Sequence, residues 1–152
     1  GVMRTTVPLE LNGKEIHARD NEKSEMIIYG YYPMMISAQC IKKTCGKCDK
    51  KSGFVKLKDR YGKYFLTKTF CDFCYNVIYN SVPTGFLEEA QQILGEGFES
   101  LRLNFTSETK EEVKNLLDTF IGIYGLKKKN VKKKNPKEMP EFTKGHFKRG
   151  VE

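Results

Sequence analysis

Histidine is scarce in this chain, and long apolar runs are missing. Only two of its 152 residues are histidines, His17 and His146. The sequence contains neither a His-Glu-x-x-His zinc helix nor a Gly-x-Ser-x-Gly nucleophile elbow. These absences exclude two common hydrolase arrangements. A single histidine in a loop is also more often a surface residue than a catalyst.

Apolar residues make up 39% of the chain and charged residues 30%, which is ordinary for a folded domain. No stretch approaches the roughly 18 consecutive apolar residues of a membrane-spanning helix. The first residues also lack the basic and apolar regions of a secretory leader. We therefore expect a cytoplasmic protein with no membrane partner.

Positive charge is in excess, with a formal net charge of +8. Such an excess favours phosphate-rich partners. Part of it lies in a lysine-rich segment that contains Lys127 to Lys129, Lys132 to Lys134 and Lys137. A lysine tail is also typical of a solvated linker, so the tail by itself does not predict nucleic-acid binding.

Five cysteines lie between positions 40 and 74 and predict a metal site. Two Cys-x-x-Cys pairs, Cys45 with Cys48 and Cys71 with Cys74, supply four thiolates, and Cys40 precedes them. Four thiolates suit tetrahedral zinc or an iron–sulfur cluster, and spacing alone favours the two matched pairs. The odd number argues against a disulfide framework. A thioredoxin-like pair should open a helix after a buried strand, whereas the first pair lies in a lysine-rich loop.

Hydrophobic periodicity predicts alternating strands and helices with one interruption. The expected strands cover residues 5–11, 26–29 and 101–105, and a hairpin joins 54–58 to 63–67 around Asp59-Arg-Tyr-Gly62. One helix is expected from Thr84 to Gly95. A second, with Thr109 and Glu112 at capping-box spacing, is expected to end at Gly125.

This order of elements predicts an α/β fold, most simply part of a (β/α)-barrel-like domain with a Cys-rich β-hairpin insertion. A closed barrel needs eight strands and about 250 residues, so we expect the chain to be a fragment or to complete its sheet with another copy. The predicted organisation is a partial barrel over 1–126 with a metal-binding insertion at 31–82, followed by a basic linker and C-terminal segment over 127–152.

Several segments together resemble peptidase family U-thirty-two, the collagenase-like family, over nearly the whole chain. They are Glu25-Met-Ile-Ile-Tyr-Gly30, Pro33-Met-Met-Ile-Ser-Ala-Gln-Cys40, Leu57-Lys-Asp-Arg60, Cys71 to Cys74, Ile78-Tyr-Asn-Ser81, Leu101-Arg-Leu-Asn-Phe-Thr106 and Gly145-His-Phe-Lys-Arg-Gly150. The likeness is to the C-terminal part of long, duplicated members that are similar to the ribosomal RNA cytidine hydroxylation factors. In one departure, Tyr31 to Gln39 intervene between the glutamate strand and the first cysteine.

The resemblance implies two kinds of activity. Some members are named as proteases, and others hydroxylate a pyrimidine base in ribosomal or transfer RNA with a cysteine-bound iron–sulfur cluster. It implies Cys40, Cys48, Cys71 and Cys74 as ligands, with Cys45 the alternate, and a 4Fe-4S cluster in the parent protein, zinc being the other candidate. The remainder of the parent chain would be a partner, and we expect no activity from the fragment alone. A zinc-stapled RNA-binding module without catalysis is the remaining alternative.

Other polar and aromatic residues are candidates for supporting roles. At the ends of barrel strands, Glu10, Arg102 and Asn104 are possible substrate-binding residues, although an internal salt bridge would explain them equally. Around the cluster, hydrogen bonds to sulfur are expected from the residues that follow the last cysteine, namely Tyr75, Asn76, Tyr79 and Asn80. Aromatic residues among the lysines, Phe54, Tyr64 and Phe65, predict either base stacking or a hydrophobic cap over the metal.

Overall fold

The computed structural model describes residues 1–125 and 141–149. The lysines at 127–137 lie outside the described residues. The chain forms two units: unit 1 contains Gly1–Gly30 and Thr84–Glu152, and unit 2 contains Tyr31–Pro83. The bounds of unit 2 are close to those of the predicted insertion, 31–82.

The elements in chain order are β1 (Thr5–Thr6), α1 (Gly13–His17), β2 (Ser24–Gly30), β3 (Pro33–Ser37), α2 (Ile41–Thr44), β4 (Gly53–Lys58), β5 (Tyr64–Phe70), β6 (Tyr75–Tyr79), β7 (Thr84–Gly85), α3 (Ala90–Gly95), β8 (Ser100–Asn104) and α4 (Lys110–Ile123). The fold is therefore mixed α/β, as the sequence predicts. None of the helices in the described ranges is long and apolar enough to cross a membrane.

Strand β2 is the centre of the sheet in unit 1. It pairs in parallel with β1 and β8, and its last two residues pair with the antiparallel β7. All residues of β2 are buried except Ile27, as expected for the middle of a parallel sheet. Within the described ranges these strands do not close into a barrel.

The core of unit 1 is organised around Tyr29 of β2. Its ring lies 5.6 Å from Phe105, 5.8 Å from Phe120 and 6.1 Å from Phe142, measured between ring centroids. Its hydroxyl donates to Glu108 Oε1 at 2.7 Å, so this large buried residue has a polar partner. One side chain thereby joins β2, the end of β8, α4 and the C-terminal segment.

Helix α4 begins at the predicted cap. Thr109 Oγ1 accepts a hydrogen bond from the Glu112 backbone N–H, and the Glu112 carboxylate accepts one from the Thr109 N–H at 2.7 Å. The helix is followed by Gly125 at φ 69, a conformation that favours glycine. The cap and the stop are thus confirmed.

Two predicted elements in unit 1 are wrong in extent. The strand expected over 5–11 covers only Thr5–Thr6, because Asn12 caps the short helix α1 with a capping box. The helix expected from Thr84 begins only at Ala90, because Thr84–Gly85 forms β7 against β2.

The C-terminal segment was predicted to be separate from the α/β part, yet residues 141–149 belong to unit 1. Phe147 is buried, and its ring centroid lies 5.0 Å from that of Phe86. The Gly13 N–H donates to the Phe147 carbonyl at 2.8 Å. Burial of an aromatic ring is strongly favourable, so Phe147 attaches this segment to unit 1 although the residues before it are typical of a linker.

Unit 2 is built on an antiparallel sheet with strand order β3-β6-β5-β4. The predicted hairpin is present, since β4 and β5 pair from Gly53↔Thr69 to Lys58↔Tyr64. Asp59 stabilises its turn, where Oδ1 accepts from the N–H groups of Tyr61 and Lys63 at 2.8 Å each.

We expect Gly30→Ala to lower the free energy of unfolding by roughly 1 to 3 kcal/mol. Gly30 has φ 155, and a Cβ there would lie 2.7 Å from the Asn104 carbonyl oxygen. Gly95→Ala is the matched control, because nothing lies within 4 Å of its added Cβ. Urea unfolding followed by circular dichroism measures both. Equal stability of the two variants would contradict the close approach of β2 and β8.

The cap of α4 also predicts a pH dependence. Hydrogen bonds from the Thr109 backbone and hydroxyl lower the pKa of Glu112, so its contribution to stability is present above the unfolded pKa of about 4.3. That contribution is lost as pH falls through the lower folded pKa. Glu112→Gln should therefore cost less than about 1 kcal/mol at pH 7 and nothing at the acid end.

Urea unfolding of wild type and Glu112→Gln between pH 7 and pH 3 measures this difference. Glu111→Gln removes a carboxylate from the same helical turn and is the control. An unfolding difference for Glu112→Gln that stays constant with pH, or that Glu111→Gln reproduces, would contradict the role of the cap.

Candidate metal centre

All five cysteines emerge from one end of the sheet in unit 2. At this end Ser37, the last residue of β3, pairs with Asn76, and Phe70, the last of β5, pairs with Tyr75. Strand β4 also begins here. The connection from β3 to β4 carries Cys40, Cys45 and Cys48, and the turn from β5 to β6 carries Cys71 and Cys74. Antiparallel pairing thus brings together two segments that are distant in sequence.

The first cysteine segment is shaped by a short helix and its glycine stop. Cys40 is buried and occupies the N-cap position of α2, and Cys45 is exposed at the C-cap. The Lys47 N–H donates to the Lys42 carbonyl, and the Gly46 N–H donates to the Lys43 carbonyl, with Gly46 at φ 67. These two bonds form a Schellman motif, which turns the chain sharply between Cys45 and Cys48.

The second cysteine segment is a tight turn between β5 and β6. The Phe73 N–H donates to the Phe70 carbonyl at 3.3 Å. Cys74 has φ 54, a left-handed conformation that residues other than glycine rarely adopt and that is concentrated at functional sites. The Phe70 and Tyr75 rings that flank the turn are stacked, with centroids 4.6 Å apart.

The two segments meet at the Lys51 carbonyl, which accepts hydrogen bonds from Lys42 in the first segment and from Cys71 in the second. Lys42 Nζ donates to Asp49 Oδ1 and to the Lys51 carbonyl, at 2.8 Å each. The Cys71 thiol donates to the same Lys51 carbonyl at 3.0 Å, and the Cys71 N–H donates to Ser52 Oγ at 2.9 Å. A single carbonyl oxygen therefore joins the ammonium of one segment to the thiol of the other.

The charges around Lys42 agree with this geometry. The hydrogen bond to Asp49 raises the pKa of the Lys42 ammonium. The same hydrogen bond lowers the pKa of Asp49. The pair therefore stays ionised over the neutral pH range.

The cysteines are free thiols, and the structure does not bring three donors together. In residues 1–125 and 141–149, no group of three or more His, Cys, Asp or Glu side chains is arranged to hold a metal ion. Cys45, Cys48 and Cys74 are exposed, and Cys45 lines a cavity of about 210 Å³ with Ser37 and Thr44. The donor chemistry fits zinc or an iron–sulfur cluster, and closing the ligand set requires these exposed side chains to turn inward.

The expected hydrogen-bonding residues around the metal are divided between the two ends of β6. Asn76 is fully buried and donates to the Gln39 carbonyl at 2.6 Å, so it positions the residue next to Cys40. Tyr75 lies beside the cysteine turn. Tyr79 and Asn80 lie at the opposite end of β6, about 13 Å along the strand from Tyr75, too far to hydrogen-bond to cysteine sulfur.

The three aromatic residues considered as a cap over the metal do not lie together. Tyr64 pairs with Lys58 beside the hairpin turn, at the end of the sheet opposite the cysteines. Phe54 is 44% exposed and Tyr64 55% exposed. Tyr64 and Phe65 are adjacent in sequence, but the alternation of side chains along β5 places them on opposite faces of the sheet.

The predicted substrate-binding residues in unit 1 do not come together. Glu10 is exposed in the turn before α1, and Asn104 ends β8. Arg102 instead forms an ion pair with Glu25 of β2, with Nη2 2.7 Å from Oε1. The Glu25 carboxylate also accepts from Thr6 Oγ1 at 3.3 Å, which is the arrangement of a structural ion pair between neighbouring strands.

Three residues important to the cysteine site escaped the sequence analysis: Lys42, Asp49 and Lys51. The only signal in the sequence was their position between two cysteines, which does not separate them from the neighbouring lysines. No protein-family model, curated protein or solved structure matches the chain.

We expect Lys42→Met to loosen the two cysteine segments. Without the ammonium, the Lys51 amide, bonded to Asp49 Oδ1 at 3.1 Å, and the Cys71 amide should exchange with solvent several-fold faster. Hydrogen exchange followed by NMR measures this, with reductant and chelator present. Lys43→Met is the control because it removes the same charge from the adjacent, exposed residue. Equal acceleration in both variants would mean that charge alone, and not the Lys42 bonds, holds the segments.

Proposed function

We propose that unit 2 binds a metal centre through its cysteines and that the chain is part of an enzyme that hydroxylates a base in RNA. One observation carries the metal-binding part: the two cysteine segments lie at one end of one sheet and are joined through the Lys51 carbonyl oxygen. Cysteines that served only as core side chains would be buried, whereas only Cys40 is buried here. Thiolates are also the ligands that zinc and iron–sulfur clusters share.

The proposed ligands are Cys40, Cys48, Cys71 and Cys74. Cys48 and Cys71 belong to the set chosen by spacing and to the set implied by the resemblance, and Cys71 shares the Lys51 carbonyl with Lys42. Cys40 and Cys45 are the competing fourth ligands. Cys40 is buried next to the backbone that Asn76 holds, whereas Cys45 is exposed at the end of α2. The fixed position of Cys40 favours it, because an anchored ligand loses less conformational entropy on binding.

The RNA-directed part of the proposal is supported by the distribution of charge. Unit 2 contains ten Lys and Arg residues and three Asp, a net charge of +7. The segment at 127–137 contains seven lysines and no acidic residue, so the unit that carries the cysteines is one of two strongly basic parts of the chain. When bound, an iron–sulfur cluster would supply the electron transfer that base hydroxylation requires.

We further propose that unit 1 is the C-terminal portion of a (β/α)-barrel-like domain, completed by the rest of a longer parent chain. The parallel pairing of β2 with β1 and β8 and the position of α4 directly after β8 support this proposal. The resemblance to peptidase family U-thirty-two implies either base hydroxylation or proteolysis. The residues described here offer no observation that favours proteolysis.

The decisive experiment is to purify the chain without oxygen, record its visible spectrum and measure iron, sulfide and zinc together. Iron and sulfide in equal amounts, with broad visible absorption, are the expected result. Cys71→Ser should abolish metal binding because Cys71 is a ligand in either set. Zinc with no iron would overturn the redox proposal and make unit 2 a structural zinc module.

The fourth ligand is decided by comparing Cys40→Ser with Cys45→Ser. We expect Cys40→Ser to lower the metal content severely and Cys45→Ser to leave it unchanged. The reverse result would make the two matched Cys-x-x-Cys pairs the ligand set. Cleavage of a peptide substrate by the parent protein, abolished by Cys45→Ser, would instead favour the peptidase alternative.

A further inference from the structure

One face of the β4–β5 hairpin combines aromatic rings with lysines. Side chains alternate along each strand, and residues directly opposite each other share a face. The aromatic–lysine face, as we call it, contains Phe54, Lys56, Lys58, Tyr64, Lys68 and Phe70, with the apolar Leu66 opposite Lys56. The face extends along the whole length of both hairpin strands.

Contacts between the side chains confirm that they share one surface. Lys68 Nζ lies 5.8 Å from the Phe54 ring centroid and 4.9 Å from that of Phe70, and Lys58 Nζ lies 5.5 Å from that of Tyr64. The stack of Phe70 on Tyr75 extends the row of rings onto β6. Lysines and rings therefore alternate within contact distance of one another.

The face is open and carries charge of one sign. Lys56 and Lys58 are exposed, and Phe54 and Tyr64 are about half exposed. The residues that alternate with them on β5, Thr67 and Thr69, are fully buried, so the opposite side of the sheet is the covered one. None of the strands β3 to β6 contains an Asp or Glu. An acidic or purely apolar partner would leave either the rings or the lysines unused.

We infer that the aromatic–lysine face binds single-stranded nucleic acid, with unpaired bases stacked on its rings and phosphates paired with its lysines. Every base has a π-face, so stacking tolerates any sequence, while the lysines follow the backbone. A lysine over an exposed ring is a weaker partner than a stacked base, so an arriving base displaces the ammonium toward the phosphates. The inference rests on the proposed function for the choice of RNA, but it requires no metal.

Fluorescence anisotropy with a labelled single-stranded RNA of about 12 nucleotides tests the inference, a length within the roughly 4 to 16 nucleotides that an OB-fold binds. Phe54→Leu combined with Tyr64→Leu removes both rings and keeps apolar side chains on the strands. We expect at least about tenfold weaker binding at every salt concentration, with the salt dependence unchanged. Circular dichroism and thermal unfolding establish that the variant is folded.

Lys56→Gln combined with Lys58→Gln tests the phosphate contacts. We expect the slope of log affinity against log salt to become shallower by roughly 0.7 for each lysine lost. Lys110→Gln combined with Lys114→Gln removes the same charge from exposed positions of α4 and is the control. An equal loss in the control pair, or unchanged binding in the ring variant, would reduce the interaction to net charge and overturn the inference.

The form of the nucleic acid gives a second test. A duplex of the same sequence should bind much more weakly, because its bases are already stacked on each other. Equal affinity for the duplex would overturn the inference. A single-stranded DNA of the same sequence shows whether the ribose contributes, and binding to either strand type with loss in the ring variant supports the shared base-and-phosphate chemistry.

The outcome is separable from that of the metal proposal. The same measurements on Cys71→Ser report nucleic-acid binding without a complete ligand set. Retained binding there, with metal absent, is expected and would leave the aromatic–lysine face standing even if the wild-type protein proved to contain no metal. Loss of binding in the ring variant that still contains metal would separate the two sites in the other direction.

Discussion

The arrangement of the candidate site depends on the antiparallel strand order of unit 2. Strand β6 lies between β3 and β5 and is antiparallel to both. The ends of β3 and β5 and the starts of β4 and β6 therefore lie at the same end of the sheet. Both cysteine segments must leave the sheet there. The bonds of Cys71 to the Lys51 carbonyl and Ser52 then hold these segments in contact, and Lys42 binds the same carbonyl. The aromatic–lysine face follows from the same register.

The two units are stabilised by different interactions. Unit 1 is stabilised by burial, with Tyr29 in contact with three aromatic rings and β2 almost wholly excluded from water. Unit 2 keeps most of its lysines in solvent and has a smaller apolar interior, so hydrogen bonds and ion pairs hold its loops. A metal ion bound there would add the cross-links that a small and highly charged unit otherwise lacks.

Local patterns in the sequence predicted the elements that short-range chemistry determines. Each of these elements is determined by a few neighbouring residues: the run Met26 to Tyr29, the turn at Asp59 to Gly62 and the cap at Thr109. The extent of β1 failed because alternating apolar residues competed with the capping box of Asn12, and tertiary pairing of Thr84 displaced the start of α3. The pair Arg102–Glu25 and the bonds of Lys42 depend on register and loop path, which no local pattern encodes. The spacing of the cysteines identified them as candidate ligands. That Tyr79 lies far from them follows only from the direction in which β6 runs, which the sequence does not show.

The pairing of Gly30 with Thr84 gives the chain a modular character. These two residues are direct partners across β2 and β7, and they bound the whole of unit 2. The chain therefore leaves the sheet of unit 1 and returns to it at adjacent points, as it would around an ordinary hairpin loop. Loop-closure entropy rises only slowly with length, so a sheet with this geometry accepts a long insertion at little cost. A change in the length of this excursion therefore need not alter the register between β2 and β7.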